Sequence, residues 1–268
     1  MSAGKVAVIT GGAGGLGQAL AAGLRARGWS IAIIDLPGAE LDAAGEAERT
    51  RCYRCDLTDE NQIASACAEI CADHPAIDLV IHNAGITQIG PFAELPLETH
   101  RKVFEVNYFG AVQVASALLQ AVRKAKGAHV AISSVAGFTP LYRRCAYAAS
   151  KHALEGFFKS LRAEEKAYGV DVLIAAPSFI ATNIGRPDVR AEGIARPGSA
   201  EDGVDYIRAD DAARIILAGI ERGRAVIPVG RIARAAWLIN RLSPSLYARL
   251  MERRMIGNRQ SRREPPKS

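Results

Sequence analysis

A strand, a cluster of glycines and a helix follow one another near the start of the chain, and this succession constrains the fold most. The apolar, β-branched run Val6–Thr10 leads into Gly11, Gly15, Leu16 and Gly17, where a helical pattern begins. Glycines permit a tight turn and close backbone approach, while a helix N-terminus offers free N–H groups and the positive end of its dipole. In this context the glycines predict a site for the pyrophosphate of a dinucleotide, rather than a purely structural turn.

The same alternation of strand and helix continues along the chain. Strands are predicted at Lys5–Thr10, Ser30–Asp35, Thr50–Cys55, Asp78–His82, Ala128–Ser133, Val170–Ala175 and Ala225–Val229. Helical patterns lie near 16–27, 39–47, 59–72, 98–125, 147–167 and 209–222. Because the strands are almost continuously apolar, both faces of their sheet should be covered. The pattern predicts an α/β protein with a doubly wound, seven-stranded parallel sheet, the Rossmann fold.

Two stretches depart from this alternation. Residues 183–208 are rich in Gly, Pro and charge without a clear period, which predicts a substrate lid. Residues 231–268 predict a basic amphipathic helical extension, broken near Pro244. The length of 268 residues otherwise suits one domain, so residues 1–230 are predicted to form a single Rossmann-fold domain.

The positive charge is concentrated in that extension. The net charge is +6, and 12 of the 34 Lys and Arg residues but only 2 of the 28 Asp and Glu residues lie after residue 221. A nucleic-acid-binding domain would carry its basic residues on one face of the fold, so no nucleic-acid partner is expected. The segment 231–259 is expected to cap the pocket or pack on a sister subunit, with weak contact to an anionic membrane surface as the alternative.

The cysteines raise the question of a metal site. Cys52 and Cys55 are spaced C-x2-C, and Cys67 and Cys71 are spaced C-x3-C, which is reminiscent of zinc ligands. Residues an odd number apart on a strand face opposite sides, so Cys52 and Cys55 should not share one ion. No metal is therefore expected, and free buried thiols in a reducing compartment are favoured. The segment Met1–Ile9 is too short for a signal peptide, so a cytoplasmic protein is expected.

An acidic residue ends the second predicted strand. Asp35 lies 18 residues beyond Gly17, where a carboxylate accepts hydrogen bonds from the adenosine ribose hydroxyls and repels a 2′-phosphate. The next residue is Leu36, and no Lys or Arg lies within the glycine turn. This charge pattern predicts NAD as the cofactor in preference to NADP.

A tyrosine and a lysine lie four residues apart in a predicted helix. Tyr147 and Lys151 should therefore share one helix face. The phenol has an ordinary pKa near ~10, and a nearby ammonium would lower that pKa by favouring the phenolate. Ser134 follows a predicted strand, and ligands of open α/β sheets bind beyond the carboxyl ends of the strands. A hydroxyl, a phenol, an amine and a nucleotide turn are thus expected at one edge of the sheet.

Taken together, these residues resemble the short-chain dehydrogenase/reductase family over about residues 5–230. The marks of the resemblance are Thr10-Gly-x3-Gly15-x-Gly17, Asp56-Leu57, Asn83-Ala-Gly85, Asn107, Ser134 and Tyr147-x3-Lys151. The resemblance implies that Tyr147 is the general base in alcohol oxidation and the acid in carbonyl reduction, and that it also contacts the cofactor. It implies that Ser134 holds the substrate oxygen, and that Lys151 binds the nicotinamide ribose and lowers the Tyr147 pKa. Asn107 would hold a water that links Lys151 to solvent.

The resemblance also assigns the cofactor pocket. It implies that Asp56 binds the adenine amino group and that Leu57 lines the adenine pocket. Asn83, Ala84 and Gly85 would brace the sheet beside the cofactor.

Two positions depart from the family pattern. The usual Pro-Gly after the sixth strand is Pro177-Ser178 here, and serine adopts a positive φ less readily than glycine. Pro177, Ile180 and Thr182 are still assigned to the nicotinamide end of the cofactor. His82 stands where the family usually has Asn, and a structural role is predicted for it.

The substrate pocket is expected between three segments, Ile86–Ile89, Val135–Cys145 and the loop 178–208. Their apolar side chains are Ile86, Ile89, Phe138, Leu141, Tyr142, Phe179 and Ile184. Such a cleft favours a lipophilic secondary alcohol or ketone, for example a steroid, terpenoid, retinoid or aromatic alcohol. Arg143 and Arg144 are candidates for binding a substrate carboxylate, although solvation of one or both is the favoured reading.

The predicted function is therefore hydride transfer between NAD and an alcohol or ketone. The alternatives are an NADPH-dependent carbonyl reductase and a non-catalytic nucleotide-sensing protein that keeps the fold. The family resemblance further implies a homodimer or homotetramer, joined through the helices near 98–125 and 147–167.

Overall fold

The computed structural model describes residues 4–182, 193–195, 206–245, 247–249 and 251. Its strands are β1 Val6–Thr10, β2 Ser30–Asp35, β3 Thr50–Arg54, β4 Leu79–His82, β5 Thr87–Gln88, β6 Ala128–Ile132, β7 Asp171–Pro177, β8 Ile180–Ala181, β9 Ile194–Ala195, β10 Ile207–Arg208 and β11 Val226–Val229. Its α-helices are α1 Gly15–Arg25, α2 Ala39–Gly45, α3 Glu60–Asp73, α4 Leu97–Phe104, α5 Gly110–Ala125, α6 Cys145–Glu165, α7 Ala209–Glu221 and α8 Arg231–Leu242.

Seven of these strands form one parallel sheet, in the order β11-β7-β6-β4-β1-β2-β3. The predicted doubly wound Rossmann fold is thereby confirmed. Strand β1 lies between β2 and β4, so the chain reverses its direction of winding next to β1. In open α/β sheets the ligand crevice lies at this switch point, beyond the carboxyl ends of the strands.

Alternate residues of the central strands pack into two apolar layers. Ile9 and Ile33 join the layer covered by α1 and α7, whereas Val8 and Ile34 join the layer covered by α3 and α5. All four side chains are buried, which explains why the strands read as continuous apolar runs. The rigid sheet fixes the positions of the residues at its carboxyl edge.

The helix predicted over 98–125 is interrupted. Between α4 and α5 the backbone forms a single π-helical turn, Glu105–Phe109, which widens the helix around Asn107. The Asn107 amide donates to the Ile86 carbonyl at 2.9 Å, and its carbonyl accepts from the Ile86 N–H at 2.8 Å. These bonds to a distant loop hold the extra residue of the turn, and π turns of this kind recur at functional sites.

Two histidines are buried against each other in the sheet. His82 Nε2 lies 3.1 Å from His129 Nδ1, and the His82 ring also packs on Phe158. Burial lowers the pKa of His129 from 6.5 to about 4 and holds the pKa of His82 well below its usual range. His82 therefore contributes to the packing of the core, in line with the structural role predicted for it.

This pair should make the protein lose stability in mild acid. Both histidines stay neutral when folded but bind protons near pH 6.5 once unfolded, so stability is full above 6.5 and falls as the pH drops toward about 4. Between about pH 4 and pH 6, this pair should take up between one and two protons when the protein unfolds. Urea denaturation at several pH values measures how steeply the free energy of unfolding falls as the pH decreases, and this fall should be less steep in His129→Gln. Replacing the exposed His152 by Gln is the control. An unchanged pH dependence of stability in His129→Gln contradicts the role assigned to the histidine pair.

Candidate active site

The glycine turn has the shape that a pyrophosphate requires. Gly11 has φ +64°, and a Cβ on Gly17 would overlap the Gly11 carbonyl oxygen and lie 2.7 Å from the Gly12 Cα. Neither position therefore accepts a side chain, and the backbone stays open to a ligand. A Cβ on Gly15 would lie 3.1 Å from Thr182, so the segment after β7 closes against the same turn. The residues present thus fit a dinucleotide.

Asp35 ends β2 beside this turn. Its Oδ2 accepts from the Ala13 N–H at 2.9 Å, and its Oδ1 accepts from the Leu36 N–H at 2.8 Å. The carboxylate is partly exposed and lies directly against the glycine turn, as its predicted contact with a ribose requires. The next residue, Leu36, has an exposed and uncharged side chain, so it contributes no positive charge beside Asp35.

The segment after β4 supports the turn from the other side. The Asn83 amide donates to the Gly11 carbonyl at 2.8 Å, and the Thr10 hydroxyl accepts from the N–H groups of Asn83 and Ala84 at 3.1 Å. A Cβ on Gly85 would lie 3.2 Å from Asn107 Oδ1 and 3.5 Å from Lys151 Nζ. The predicted bracing residues therefore link the glycine turn to the lysine.

The predicted adenine-pocket residues follow β3. Asp56 accepts from the Thr58 N–H and hydroxyl at 2.9 and 2.8 Å, which fixes its carboxylate at the strand end. Leu57 is buried, and its backbone carbonyl lies against Gly110 at the start of α5. Both residues lie at the carboxyl edge of the sheet, on the side of β2 and β3.

Tyr147, Lys151 and Ser134 are brought together on the other side of β1. Tyr147 and Lys151 are buried on one face of α6, with Lys151 Nζ 5.9 Å from the centre of the Tyr147 ring. Ser134 directly follows the end of β6 and lies close enough to the Tyr147 phenol to lower its pKa. The Lys151 amine donates to the Ile132 carbonyl at 2.8 Å. The three side chains therefore meet where the sequence places them.

The lowering of the Tyr147 pKa by Lys151 stays a prediction, and burial of the phenol acts against it. Burial raises the pKa of Tyr147 above its usual value, and the groups that oppose this rise are Ser134 and Arg144. Burial also lowers the pKa of Lys151 to about 8, with the Glu155 carboxylate acting in the opposite direction. Spacing along a helix predicted the shared face but not the desolvation, which disfavours both charged forms.

Asn107 lies beside the lysine but has its side chain engaged. Besides the two bonds to Ile86, its amide donates to the Ser150 hydroxyl at 2.9 Å. That hydroxyl in turn donates to the Tyr147 carbonyl at 2.8 Å. Asn107 therefore connects the π turn to α6 next to Lys151, and its predicted role in holding a water stays a prediction.

The Ser178 departure is accommodated without strain. Among the described residues with a side chain, only Arg49, Lys126 and Arg143 have a positive φ, so Ser178 adopts an ordinary conformation. Its N–H donates to the Val229 carbonyl at 3.2 Å. The left-handed position falls instead on Gly230, at φ +104°, where a Cβ would lie 2.9 Å from the Ser178 hydroxyl.

The assigned nicotinamide-end residues follow the same strand. Pro177 ends β7, Ile180 is buried in β8, and Thr182 lies against Gly15 as described above. β8 pairs with β10, which fixes the segment beyond β7 to the residues before α7. The assigned residues therefore reach the glycine turn from the opposite side of the crevice.

Several polar residues position the site, and Gln88 and Glu155 among them were not singled out from the sequence. The Gln88 carbonyl accepts from the Ala146 N–H at 3.2 Å, and its amide donates to the Arg143 carbonyl at 2.9 Å, so Gln88 caps the start of α6. Arg144 is buried and donates to the Thr87 hydroxyl at 2.9 Å, whereas Arg143 is exposed as expected. Of these residues, Glu155 is the one that sequence spacing could have revealed, because it lies four residues after Lys151 on the same face of α6.

The expected pocket walls are only partly described. Ile86, Ile89, Phe138 and Phe179 are partly exposed, and the Phe179 ring lies 5.8 Å from that of Tyr206. Ile184 and most of the predicted lid 183–208 lie outside the described residues. Those four side chains offer an apolar surface at the mouth of the crevice.

Helix α8 packs on the body of the protein. Ala233 and Ala236 are buried, and the Asn240 amide donates to the Phe138 carbonyl at 2.9 Å, close to Ser134. Residues 252–268 lie outside the described part of the chain, and membrane contact by 231–259 stays a prediction. In the described residues, no helix combines the length and apolarity needed to cross a membrane. The same residues hold no group of three or more potential metal ligands.

Comparisons with known proteins agree with this geometry. A model of the short chain dehydrogenase family matches residues 5–193. The chain is 34% identical to dehydrogenase/reductase SDR family member 7B of Bos taurus over 271 residues, covering 96% of this chain and 83% of that protein. It is 31% identical to the protein of the same name from Danio rerio, covering 93% and 85%.

Solved structures show the same architecture. A short chain dehydrogenase from Burkholderia cenocepacia in complex with NADP superposes with a TM-score of 0.80 at 26% identity, covering 92% of this chain and 97% of that one. A short-chain dehydrogenase from Streptomyces avermitilis superposes with a TM-score of 0.78 at 28% identity, covering 96% and 99%.

Proposed function

Because the chain belongs to the short-chain dehydrogenase/reductase family, we propose that it transfers a hydride between NAD and a lipophilic secondary alcohol or ketone. The observation that carries the proposal is the meeting of Tyr147, Ser134 and Lys151 beside the glycine turn. When bound, the oxidised nicotinamide supplies the acceptor for the hydride. The protein has to orient the reacting carbon and move one proton.

The phenol of Tyr147 is the group proposed to move that proton. With an ordinary pKa near ~10 it is already protonated at neutral pH, and burial raises that pKa further, so in the reductive direction it is ready to donate to a carbonyl oxygen. In the oxidative direction it accepts the alcohol proton, with the positive charge of Arg144 favouring the phenolate. The Ser134 hydroxyl, which lies close enough to the phenol to lower its pKa, holds the substrate oxygen where negative charge builds up.

The apolar character of the crevice supports a lipophilic substrate. Ile86, Ile89, Phe138 and Phe179 border the site, and apolar walls with a few polar groups are typical of pockets for small lipophilic molecules. A screen of absorbance at the NADH band, with NAD and a panel of steroid, terpenoid, retinoid and aromatic alcohols, tests the proposal. We expect turnover with members of this panel, and tight NAD binding without any turnover would favour a nucleotide-sensing protein instead.

The choice of NAD over NADP rests on the Asp35 carboxylate. A 2′-phosphate would face this negative charge without a Lys or Arg from the glycine turn or from position 36. Replacing Asp35 by Asn removes the charge and retains the size of the side chain. We expect the ratio of NAD to NADP affinity to fall by roughly tenfold, which nucleotide titration by fluorescence measures.

Asp171→Asn is the matched control for this substitution. Asp171 is exposed at the start of β7, at the opposite edge of the sheet, and its replacement should leave the ratio unchanged. The Burkholderia cenocepacia relative was solved with NADP, which makes an NADPH-dependent reductase the second candidate. Tighter binding of NADP than of NAD by the unaltered protein would favour that candidate.

A further inference from the structure

Helix α6, which carries Tyr147 and Lys151, also carries a buried carboxylate to which the proposed mechanism assigns no role. Glu155 is 4% exposed, and its Oε1 accepts from the Ser133 hydroxyl at 2.8 Å. Its Oε2 accepts from the Lys159 amine at 2.6 Å, where Lys159 is half exposed. A carboxylate is rarely buried this fully unless its charge is compensated, so its position calls for an explanation.

The carboxylate belongs to a ladder of contacts between α6 and the end of β6. Tyr147, Lys151 and Glu155 follow one another at intervals of four residues, so they share one helix face. Lys151 donates to the Ile132 carbonyl and Glu155 accepts from the Ser133 hydroxyl, while Tyr147 lies close enough to Ser134 for its pKa to be lowered. Three successive residues at the end of β6 thus each face one member of this ladder, and two of them are hydrogen-bonded to it.

The backbone nearby is shaped around the Ser133–Glu155 contact. A Cβ on Gly137 would overlap the Ser133 hydroxyl and lie 2.5 Å from Glu155 Oε1. Gly137 belongs to the short 3-10 turn Val135–Gly137, which starts directly after Ser134. The Ser133–Glu155 contact is therefore closely packed against Gly137. Because Ser134 follows Ser133 directly, a movement of Glu155 would displace Ser134, the residue proposed to hold the substrate oxygen.

Glu155 also provides the charge that faces Lys151. Glu155 lies four residues after Lys151 on the same face of α6, and its carboxylate raises the Lys151 pKa, which burial lowers to about 8. Lys159 faces the carboxylate from the same helix, while β6 presents the Ser133 hydroxyl and the 3-10 turn presents the Gly137 backbone. A lysine that binds a ribose and supports a phenolate must stay protonated at neutral pH.

We propose that Glu155 is a positioning residue, which fixes the Ser133–Ser134 end of β6 against α6 and supplies the negative charge that keeps Lys151 cationic. The contribution of Glu155 to turnover rests on the proposed function, whereas its electrostatic effect on Lys151 does not. The same carboxylate therefore couples the position of Ser134 to the charge of Lys151.

The direct test is the titration of the Lys151 side chain in the full chain, without cofactor or substrate. Protein carrying ¹³C at the lysine ε-carbon is followed by NMR against pH, and the Lys151 signal is assigned by its loss in Lys151→Met. In Glu155→Gln, the amide oxygen still accepts from Ser133 while the charge is lost. The Lys151 titration should then move down by about one pH unit.

Three further variants separate charge from packing. Glu164→Gln removes an exposed carboxylate from the same helix and should leave the titration unchanged. Ser133→Ala removes the hydrogen bond but not the charge, so it should lower turnover without moving the titration. Lys159→Gln removes the half-exposed ion-pair partner of Glu155. The carboxylate is then no longer compensated by Lys159, so the Lys151 titration should move to higher pH. If Glu155→Gln does not fold, the result with Lys159→Gln decides whether Glu155 acts on Lys151.

An unchanged Lys151 titration in Glu155→Gln overturns the proposal, as does an unchanged titration in Lys159→Gln if only that variant folds. Should the titration move while the unaltered protein turns over no alcohol or ketone, Glu155 keeps its electrostatic role and the proposed oxidoreductase activity fails instead. In an active enzyme, the pH profile of kcat/KM in Glu155→Gln should shift in the same direction as the titration.

Discussion

Replacing Tyr147 by Phe should lower kcat/KM for alcohol oxidation by about 10²–10⁴-fold, the usual contribution of a positioned acid–base group. The substitution removes one hydroxyl and leaves the buried ring in place, so the packing of α6 should be retained. Because the phenol moves a proton and does not hold the nucleotide turn, NAD affinity should change little. Steady-state kinetics at the NADH band and fluorescence titration of the nucleotide measure the two quantities.

Tyr168→Phe is the matched control for this result. Tyr168 is half exposed beyond the end of α6 and stacks on the Arg123 guanidinium, at the opposite edge of the sheet from the crevice. Its substitution should leave kcat/KM unchanged. Wild-type turnover in Tyr147→Phe would remove the phenol from the mechanism.

Replacing Gly17 by Ala should weaken NAD binding and lower the melting temperature together. The new Cβ would overlap the Gly11 carbonyl oxygen, which belongs to the rigid backbone of the turn. Forcing an extra methyl into such a position costs about 1–3 kcal/mol, which corresponds to about 5–150-fold in an equilibrium constant. Nucleotide titration and thermal denaturation with and without NAD measure the two effects.

Gly14→Ala tests whether the effect comes from the overlap at position 17. A Cβ on Gly14 would lie 3.6 Å from the same Gly11 oxygen, which is an ordinary contact, and Gly14 has φ −79°. This variant should fold and melt as the unaltered protein does. Equal losses in both variants would mean that the turn does not depend on the fit of Gly17.

The fold follows from patterns that are local in the sequence. Apolar β-branched runs predict buried parallel strands because both faces of the sheet need apolar residues, and the predicted strand Ser30–Asp35 has the same bounds in the structure. The π turn at Asn107 could not be predicted in this way. It depends on hydrogen bonds to Ile86, 21 residues earlier in the chain, which no local period reveals.

The candidate site, like the fold, could be predicted from the sequence only where it depends on local spacing. Spacing placed Tyr147 and Lys151 on one helix face, and the order of the motifs placed Ser134 beside them. The direction of the Tyr147 pKa shift was not predictable, because it depends on how deeply the whole fold buries the phenol. The roles of Gln88 and Glu155 depend on contacts with Ala146 and Ser133 that form only when the chain is folded.

Transfer of a labelled hydride tests the central claim most directly. A secondary alcohol from the active part of the panel, carrying deuterium on its carbinol carbon, is incubated with the protein and NAD, and the NADH formed is examined by mass spectrometry and NMR. Direct transfer predicts one deuterium at C4 of the nicotinamide, with label transfer strongly reduced in Tyr147→Phe. Label released to water, or NADH formed without deuterium, would contradict a hydride passing between alcohol and nicotinamide beside the Tyr147 phenol.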